Sequence, residues 1–196
     1  LSRTENFNDS KILKILYVST VKKYKHQWNL IDAVGLLRKE GFLVELHLVG
    51  GGDPQALSWM RESIQRNYSD HEFVFYYGSC SYEETLEWYR HVDMFVFPST
   101  CENMPVVLLE AMTIGLPIAS SDRGPMPEVL KDAGLYFNPE SVTSIKNCLR
   151  YMIETPNLRK HLGTKAKQYS QAYSWKKCSD ETFSFLRSVY EKNLNE

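Results

Sequence analysis

The chain is predicted to fold as an α/β domain, a doubly wound, Rossmann-like parallel sheet with helices on both faces. Short β-branched and aromatic runs alternate with apolar stripes of helical period, and the connections between them are brief. Parallel neighbours need a crossover, and right-handed crossovers lay successive helices against the sheet, so this alternation closes into an open α/β sheet. The strand runs are ILKILYVST (12–20), FLVELHLVG (42–50), EFVFYYG (72–78) and DMFVFPS (93–99), with the weaker LPIASS (116–121) and GLYF (134–137). Between them Trp28, Ile31, Val34 and Leu37 repeat every three residues, followed by Leu57, Met60 and Ile64, then Leu86 with Tyr89. The last third is helical: Ile145, Leu149 and Met152 form one stripe, a second helix starts near Pro156 and a third near Trp175.

Composition narrows the classes of function. With 43% hydrophobic and 13% aromatic residues, the 196-residue chain can bury a full core, which excludes disorder and suits one domain. A net charge of -1 gives no global field for nucleic acid or anionic lipid, so any anion site must be local. Cys80, Cys101, Cys148 and Cys178 form no C-x-x-C pair and read as reduced, buried thiols. No histidine pair has metal-ligand spacing, and no metal site is expected. No signal-peptide core or membrane-length apolar run is present, and the cytoplasm fits best. A first residue of Leu and a polar run up to Ser10 read as a linker, residues 1–11, from a longer protein.

In an open α/β sheet the ligand lies beyond the carboxyl ends of the strands. The loops after Ser19, Gly50, Gly78, Phe97 and Ser121 are therefore the ones that can share a crevice. The richest follows Pro98, where Glu102 and Glu110 flank an apolar stretch. With a helix starting near Pro105, a residue suited to the first helical position, Glu102 stands ahead of the helix and Glu110 lies inside it. Backbone N–H groups from Asn103 to Val107, a span that includes Met104, Pro105 and Val106, then form an anion site for a diphosphate. The alternative is plainer: Glu102 caps the helix and Glu110 is a solvated or salt-bridged surface residue. Lys22, Lys23 and Lys25 follow the first strand and supply cations at the same end of the sheet. Gly50, Gly51 and Gly52 allow close backbone approach but form no G-x-G-x-x-G, which counts against a dinucleotide site. Gly124, Pro125 and Glu128 read as the start of a helix, in a structural role.

Pro98, Ser99, Glu102, Glu110, Ala111, Gly115 and Pro117 fall in step with the signature PS-x-x-E-x-x-x-x-x-x-x-E-A-x-x-x-G-x-P, and in this the chain resembles glycosyltransferase family 4. The resemblance extends to Lys25, to Leu48–Asp53, to Val74–Gly78, to Gly124–Val129 and to the Ser174-Trp175 pair. It implies the C-terminal, nucleotide-sugar-binding half of a GT-B fold, with the acceptor-binding N-terminal domain absent and the terminal segment 174–196 a helix. Family members return that helix to the first domain, so an exposed apolar strip is expected on it.

The resemblance further implies that Glu110 accepts hydrogen bonds from a ribose diol, that Glu102 contacts the transferred sugar and that Lys25 faces the diphosphate of a UDP- or GDP-sugar. Ionised carboxylates suit these roles, because a diol offers two donors that one carboxylate can bridge. Glu102 and Lys25 are thus the candidate catalytic residues. In the family the first loop reads G-R-x-x-x-x-K-G; here Ser19, Thr20 and His26 occupy the glycine, arginine and glycine positions. Thr20, Lys22 and Lys23 are candidate donor contacts there, with either lysine able to replace the arginine as a point charge. Gly50 and Cys80 are candidate contacts on the next two loops, Cys80 for the base. No D-x-D is present, which argues against the metal-dependent GT-A class. The implied activity is retaining glycosyl transfer to a saccharide or lipid-linked acceptor, with no nucleic-acid partner and with peripheral membrane association allowed for the full-length protein. The competing readings are a non-catalytic nucleotide-binding module and a sugar-nucleotide epimerase or phosphorylase of related architecture.

Overall fold

The computed structural model describes residues 12–67 and 72–193. The linker expected at 1–11 lies outside the described residues, as does His71. The strands are β1 (Leu13–Val18), β2 (Val44–Val49), β3 (Val74–Tyr76), β4 (Met94–Phe97), β5 (Ile118–Ser121) and β6 (Gly134–Phe137). All are parallel, in the order β3-β2-β1-β4-β5-β6. This is a doubly wound sheet with its switch point between β1 and β4, where the chain reverses its direction of travel across the sheet. Each predicted strand is present, although EFVFYYG contributes only three residues to the β3 edge.

Continuous apolar runs identify the central strands, since a sheet covered on both faces has no solvent side to alternate toward. Ile15 and Leu16 are fully buried although they point to opposite faces, and Met94 to Phe97 are equally inaccessible. Helices α1 (Gln27–Lys39), α2 (Pro54–Arg66) and α6 (Val142–Glu154) pack together, as do α3 (Tyr82–Arg90), α4 (Val106–Ile114), α5 (Met126–Leu130) and α7 (Pro156–Ser170) around α4. The α6 stripe Ile145, Leu149 and Met152 is completely buried. Local chemistry fixes the helix starts: Asp53 accepts the Ala56 N–H at 3.0 Å, and Ser81 with Glu84 forms a reciprocal capping box. Gly124 (φ 53°) and Pro125 lead into α5, with Glu128 in its first turn.

The terminal helix α8 (Trp175–Asn193) does carry an exposed apolar strip: Trp175, Phe183, Phe185, Leu186 and Tyr190 are all more than half exposed. No helix among the described residues is long and apolar enough to cross a membrane. The cysteines depart from expectation. All four are free, but Cys101 and Cys178 are exposed and Cys80 and Cys148 only half-buried; desolvation pushes the Cys148 thiol up to about 12.

Gly50 shows how the loops are brought together. Its φ is 131°, and a Cβ there would stand 2.1 Å from the Ser19 carbonyl oxygen, so only glycine lets the loop after β2 close on the loop after β1. Its N–H donates to the Gly78 carbonyl at 2.7 Å, which adds the loop after β3. Gly50, a candidate ligand contact, is thus also the point at which three loops meet. Gly50→Ala should therefore lower stability in urea unfolding by about 2–4 kcal/mol, combining steric overlap with backbone strain. Gly41→Ala, at φ 93° with nothing within 4 Å of the added carbon, should lose only about 1 kcal/mol. Equal losses would contradict the close-approach account.

Candidate functional site

The loops after β1 and β4 meet at the switch point. After β1 the chain makes a single 3-10 turn, Lys23–Lys25, and enters α1 through His26. The β4 loop is hydrogen-bonded to this turn: the Thr100 N–H donates to the Tyr24 carbonyl at 2.9 Å, and the Thr100 and Ser99 hydroxyls donate to the same oxygen at 3.2 and 3.4 Å. From below, the Tyr17 hydroxyl donates to the Lys25 carbonyl at 2.9 Å. Burial raises the Tyr17 phenol well above its ordinary value, so it remains a donor. Gln27 holds the Thr20 carbonyl through its Nε2 at 3.1 Å.

This frame pairs Lys25 with Glu102. The Lys25 ammonium donates to Glu102 Oε1, and the side chains are 10% and 14% exposed, so each is the other's main substitute for water. The ammonium also lies 5.3 Å from the Tyr24 ring centroid and 5.4 Å from that of Phe97, within cation–π range. Glu102 does not cap α4, which starts with no side-chain cap. Lys22 and Lys23 are exposed and make no ion pair among the described residues. Thr20 is exposed at the loop's start, its carbonyl taken by Gln27 and by the Ser19 hydroxyl.

The α4 N-terminus corrects one expectation. Pro105 is the N-cap residue, not the first helical one, and has no N–H; the Val106 N–H donates back to the Met104 carbonyl at 2.9 Å. Neither supplies a free donor, Pro105 for want of an N–H and Val106 because the tight turn before the helix takes it. The N–H groups of Asn103, Met104 and Val107 have no acceptor among the described residues and remain for a ligand. Glu110, one turn in, is neither salt-bridged nor freely solvated. It accepts the Tyr89 hydroxyl at 3.0 Å, which also lies 3.2 Å from the Val107 carbonyl. Burial raises the pKa of the Glu110 carboxyl from its ordinary value, partly offset by the Tyr89 hydrogen bond. Cys80, half-covered after β3, leans its thiol toward the Gly78 carbonyl at 4.0 Å.

His26 is the residue that sequence reasoning underused. It sits at φ 52°, ψ 35°, the left-handed region where the family pattern has glycine, and accommodates it with side-chain contacts: Nε2 is 3.2 Å from the Thr100 hydroxyl and Nδ1 3.5 Å from Asn29 Nδ2. Asn29 in turn donates to the Pro139 carbonyl at 2.9 Å. Burial lowers the His26 pKa, opposed by Glu140, so the ring is neutral near pH 7. The missing family glycine was the available signal. The Thr100 and Tyr89 contacts left none, because their partners come from other elements.

A switch-point crevice holding a lysine, two carboxylates and a helix N-terminus belongs to an α/β domain of the GT-B glycosyltransferase kind. The chain belongs to the family described as glycosyl transferases group 1, whose profile matches residues 2–169. It is 26% identical to the O-antigen chain mannosyltransferase B of Escherichia coli over 171 residues, covering 86% of this chain and 44% of that protein. It is 28% identical to the sulfoquinovosyl transferase SQD2 of Arabidopsis thaliana over 121 residues, 59% of this chain and 24% of the relative. The chain thus spans less than half of either relative. Among solved structures, sucrose-phosphate synthase from Thermosynechococcus elongatus superposes with a TM-score of 0.80 at 24% identity, over 92% of this chain and 46% of that one. The C-terminal domain of a group 1 glycosyl transferase (LpcC) from Francisella tularensis superposes at 0.72 and 22%, over 82% of this chain and 85% of that one. These likenesses show the fold.

Two carboxylate variants test the electrostatics. Glu102→Gln leaves the Lys25 ammonium poorly paired and should cost about 1–3 kcal/mol of stability, below the figure for a sealed pair because both side chains keep some water. The raised Glu110 carboxyl works the other way: the folded state holds that proton more tightly than the unfolded chain, so stability falls as pH rises from the unfolded value of about 4.3 through the folded one. Glu110→Gln, which can still accept from Tyr89, should be the more stable protein at pH 7, with the difference vanishing below about pH 4. Thermal unfolding across pH checks this; a Glu110→Gln protein less stable at pH 7 would refute it.

Proposed function

We propose that this chain is the donor-binding part of a glycosyltransferase, taking a nucleoside-diphosphate sugar, UDP- or GDP-linked, at the crevice between the β1 and β4 loops. The observation that carries this reading is the Lys25–Glu102 pair beside the unoccupied N–H groups of Asn103, Met104 and Val107. In it the diphosphate replaces Glu102 as the partner of Lys25, the helix N–H groups take the remaining phosphate charge, and Glu102 turns to a hydroxyl of the sugar. Glu110, aimed by Tyr89, receives the ribose diol. Lys22 or Lys23 supplies a further cation without the geometry of the missing arginine. Cys80 lies against the base.

Departure of the diphosphate is the main charge problem of such a transfer, and fixed donors already directed at the leaving group relieve it without reorganisation. The reading extends to retention of anomeric configuration, as the family 4 resemblance implies, with front-side attack, since no carboxylate is set as a nucleophile. The acceptor, a saccharide or a lipid-linked one, is held by a further domain, because water must be excluded and the acceptor hydroxyl aligned. Support comes from the family membership and from relatives named as mannosyl and sulfoquinovosyl transferases that extend well beyond the matched region. A structural neighbour, HepE of Anabaena, was solved with UDP and glucose; it is 20% identical with a TM-score of 0.79. The cytoplasm remains the compartment that the sequence favours.

Calorimetry with UDP and GDP separates the two carboxylates. Glu110→Gln should weaken nucleoside-diphosphate binding about 10- to 100-fold, the worth of a charged hydrogen-bond pair. Glu102→Gln should bind the diphosphate as well as or better than the parent, since Lys25 loses its competing partner, and should lose the added affinity contributed by the sugar. Equal losses from both variants would overturn the roles.

A further inference from the structure

The opposite end of the sheet carries a second concave site. Leu13 begins β1, Asp93 precedes β4 and Pro117 precedes β5; with α7 they line an open concavity of about 440 Å³. This end lies a strand length from the donor crevice, about 20 Å for six residues. One face of α7 forms the wall, with Arg159, Lys160 and Lys167 on the lining. The helix can lie this close because residue 163 is glycine: a Cβ there would meet the Gly115 carbonyl at 2.3 Å.

Charge sets the cavity apart. The α7 sequence PNLRKHLGTKAKQYS contains two arginine or lysine side chains in its first half and two in its second, with no acidic residue, in a chain of net charge -1. Lys165 is engaged by Asp132 at 2.6 Å, whereas Lys160 and Lys167 make no ion pair among the described residues. The Asp93 carboxylate accepts the Lys14 N–H at 3.0 Å and is already engaged. Arg159 is held rigidly: its Nη1 donates to the Met152 and Ile153 carbonyls at 2.7 and 2.5 Å, at the end of α6. The other face of the guanidinium fork is left for a ligand. Burial holds the Arg159 pKa below its ordinary value, opposed by the nearby Asp93 carboxylate, and an incoming anion would offset the remaining desolvation.

We propose that this cavity binds a phosphate-bearing small molecule, its phosphoryl group held by Arg159, Lys160 and Lys167 and its body set against the apolar floor of Leu13 and Pro117. A rigid fork with two mobile point charges matches a doubly charged phosphoryl group. The volume falls within the ~300–1,000 Å³ of ordinary small-molecule sites. The same chemistry is offered by a free phosphorylated metabolite and by the headgroup of an anionic lipid.

Titration of the chain with inorganic phosphate and with soluble dihexanoyl phosphatidic acid, followed by amide NMR, locates binding directly. Saturable shifts are expected at residues 159–167 and near Asp93, separate from those at 103–107 in the donor crevice. Lys160→Ala with Lys167→Ala, both at exposed positions, should weaken the α7 response about tenfold or more and leave UDP-induced shifts at 103–107 unchanged. Absence of saturable α7 shifts up to about 20 mM, a floor for weak sites, or equal shifts in the double variant, would overturn the proposal. Cosedimentation with phosphatidic acid vesicles that needs Lys160 and Lys167 identifies the lipid source; phosphate binding without cosedimentation identifies the metabolite. Either result leaves the donor-site reading untouched, because the two sites report through different amides.

Discussion

Opposite charges placed together in a pocket with little water neutralise one another until a ligand takes the place of one of them, because neither can recover its hydration where it stands. Lys25 and Glu102 are in that position. They leave neighbouring strands at the one place where the order of the sheet reverses, and their pairing spans the gap between the β1 and β4 loops. The surrounding contacts hold backbone instead of competing for the charges: Tyr17 on the Lys25 carbonyl, Thr100 and Ser99 on that of Tyr24, Gln27 on that of Thr20. A loop fixed in this way need not be ordered by its ligand, and less of the binding free energy is lost to entropy.

How much of this could be read in the sequence depends on whether the determining interactions were local. Strand runs of Val, Ile and Phe located every strand, and stripes such as Ile145, Leu149 and Met152 most of the helices, because burial on a covered sheet or a helix face leaves its period in the chain. Glu102, Glu110 and Lys25 were legible through a shared pattern, and the structure brings Lys25 and Glu102 into contact across 77 residues. The start of α4 was misplaced by one residue. Pro105 satisfies the rules for a first helical position, yet the preceding turn makes it the cap and takes the Val106 N–H. The triplet at Gly50 carried no mark of the close approach of two loops, which appears only in the position of the Ser19 carbonyl. Tyr89 on Glu110 and Thr100 on His26 were invisible for the same reason, each pair being made by tertiary packing.

The crevice is not arranged for stability alone. A carboxylate at position 110 is held where burial disfavours its charge, and a histidine occupies a left-handed position that glycine would take with less strain. One sits in the first turns of α4 and the other on the loop entering α1, both beside the switch point, where local cost is a common signature of a site that acts. Elsewhere the core follows ordinary rules, with the central strands and the inner faces of α1, α4 and α6 completely buried. The cationic wall of α7 lies at the far end of the same strands, so one rigid sheet carries two chemically distinct ends.

The central claim is that Lys25 exchanges Glu102 for a diphosphate. A crystal structure of this chain with UDP or GDP bound tests it most directly. The account predicts a phosphate oxygen about 3 Å from Lys25 Nζ and from the N–H groups of Asn103 and Met104, with the Glu102 carboxylate released from the lysine. A nucleotide seated elsewhere, with Lys25 and Glu102 still paired, would contradict it.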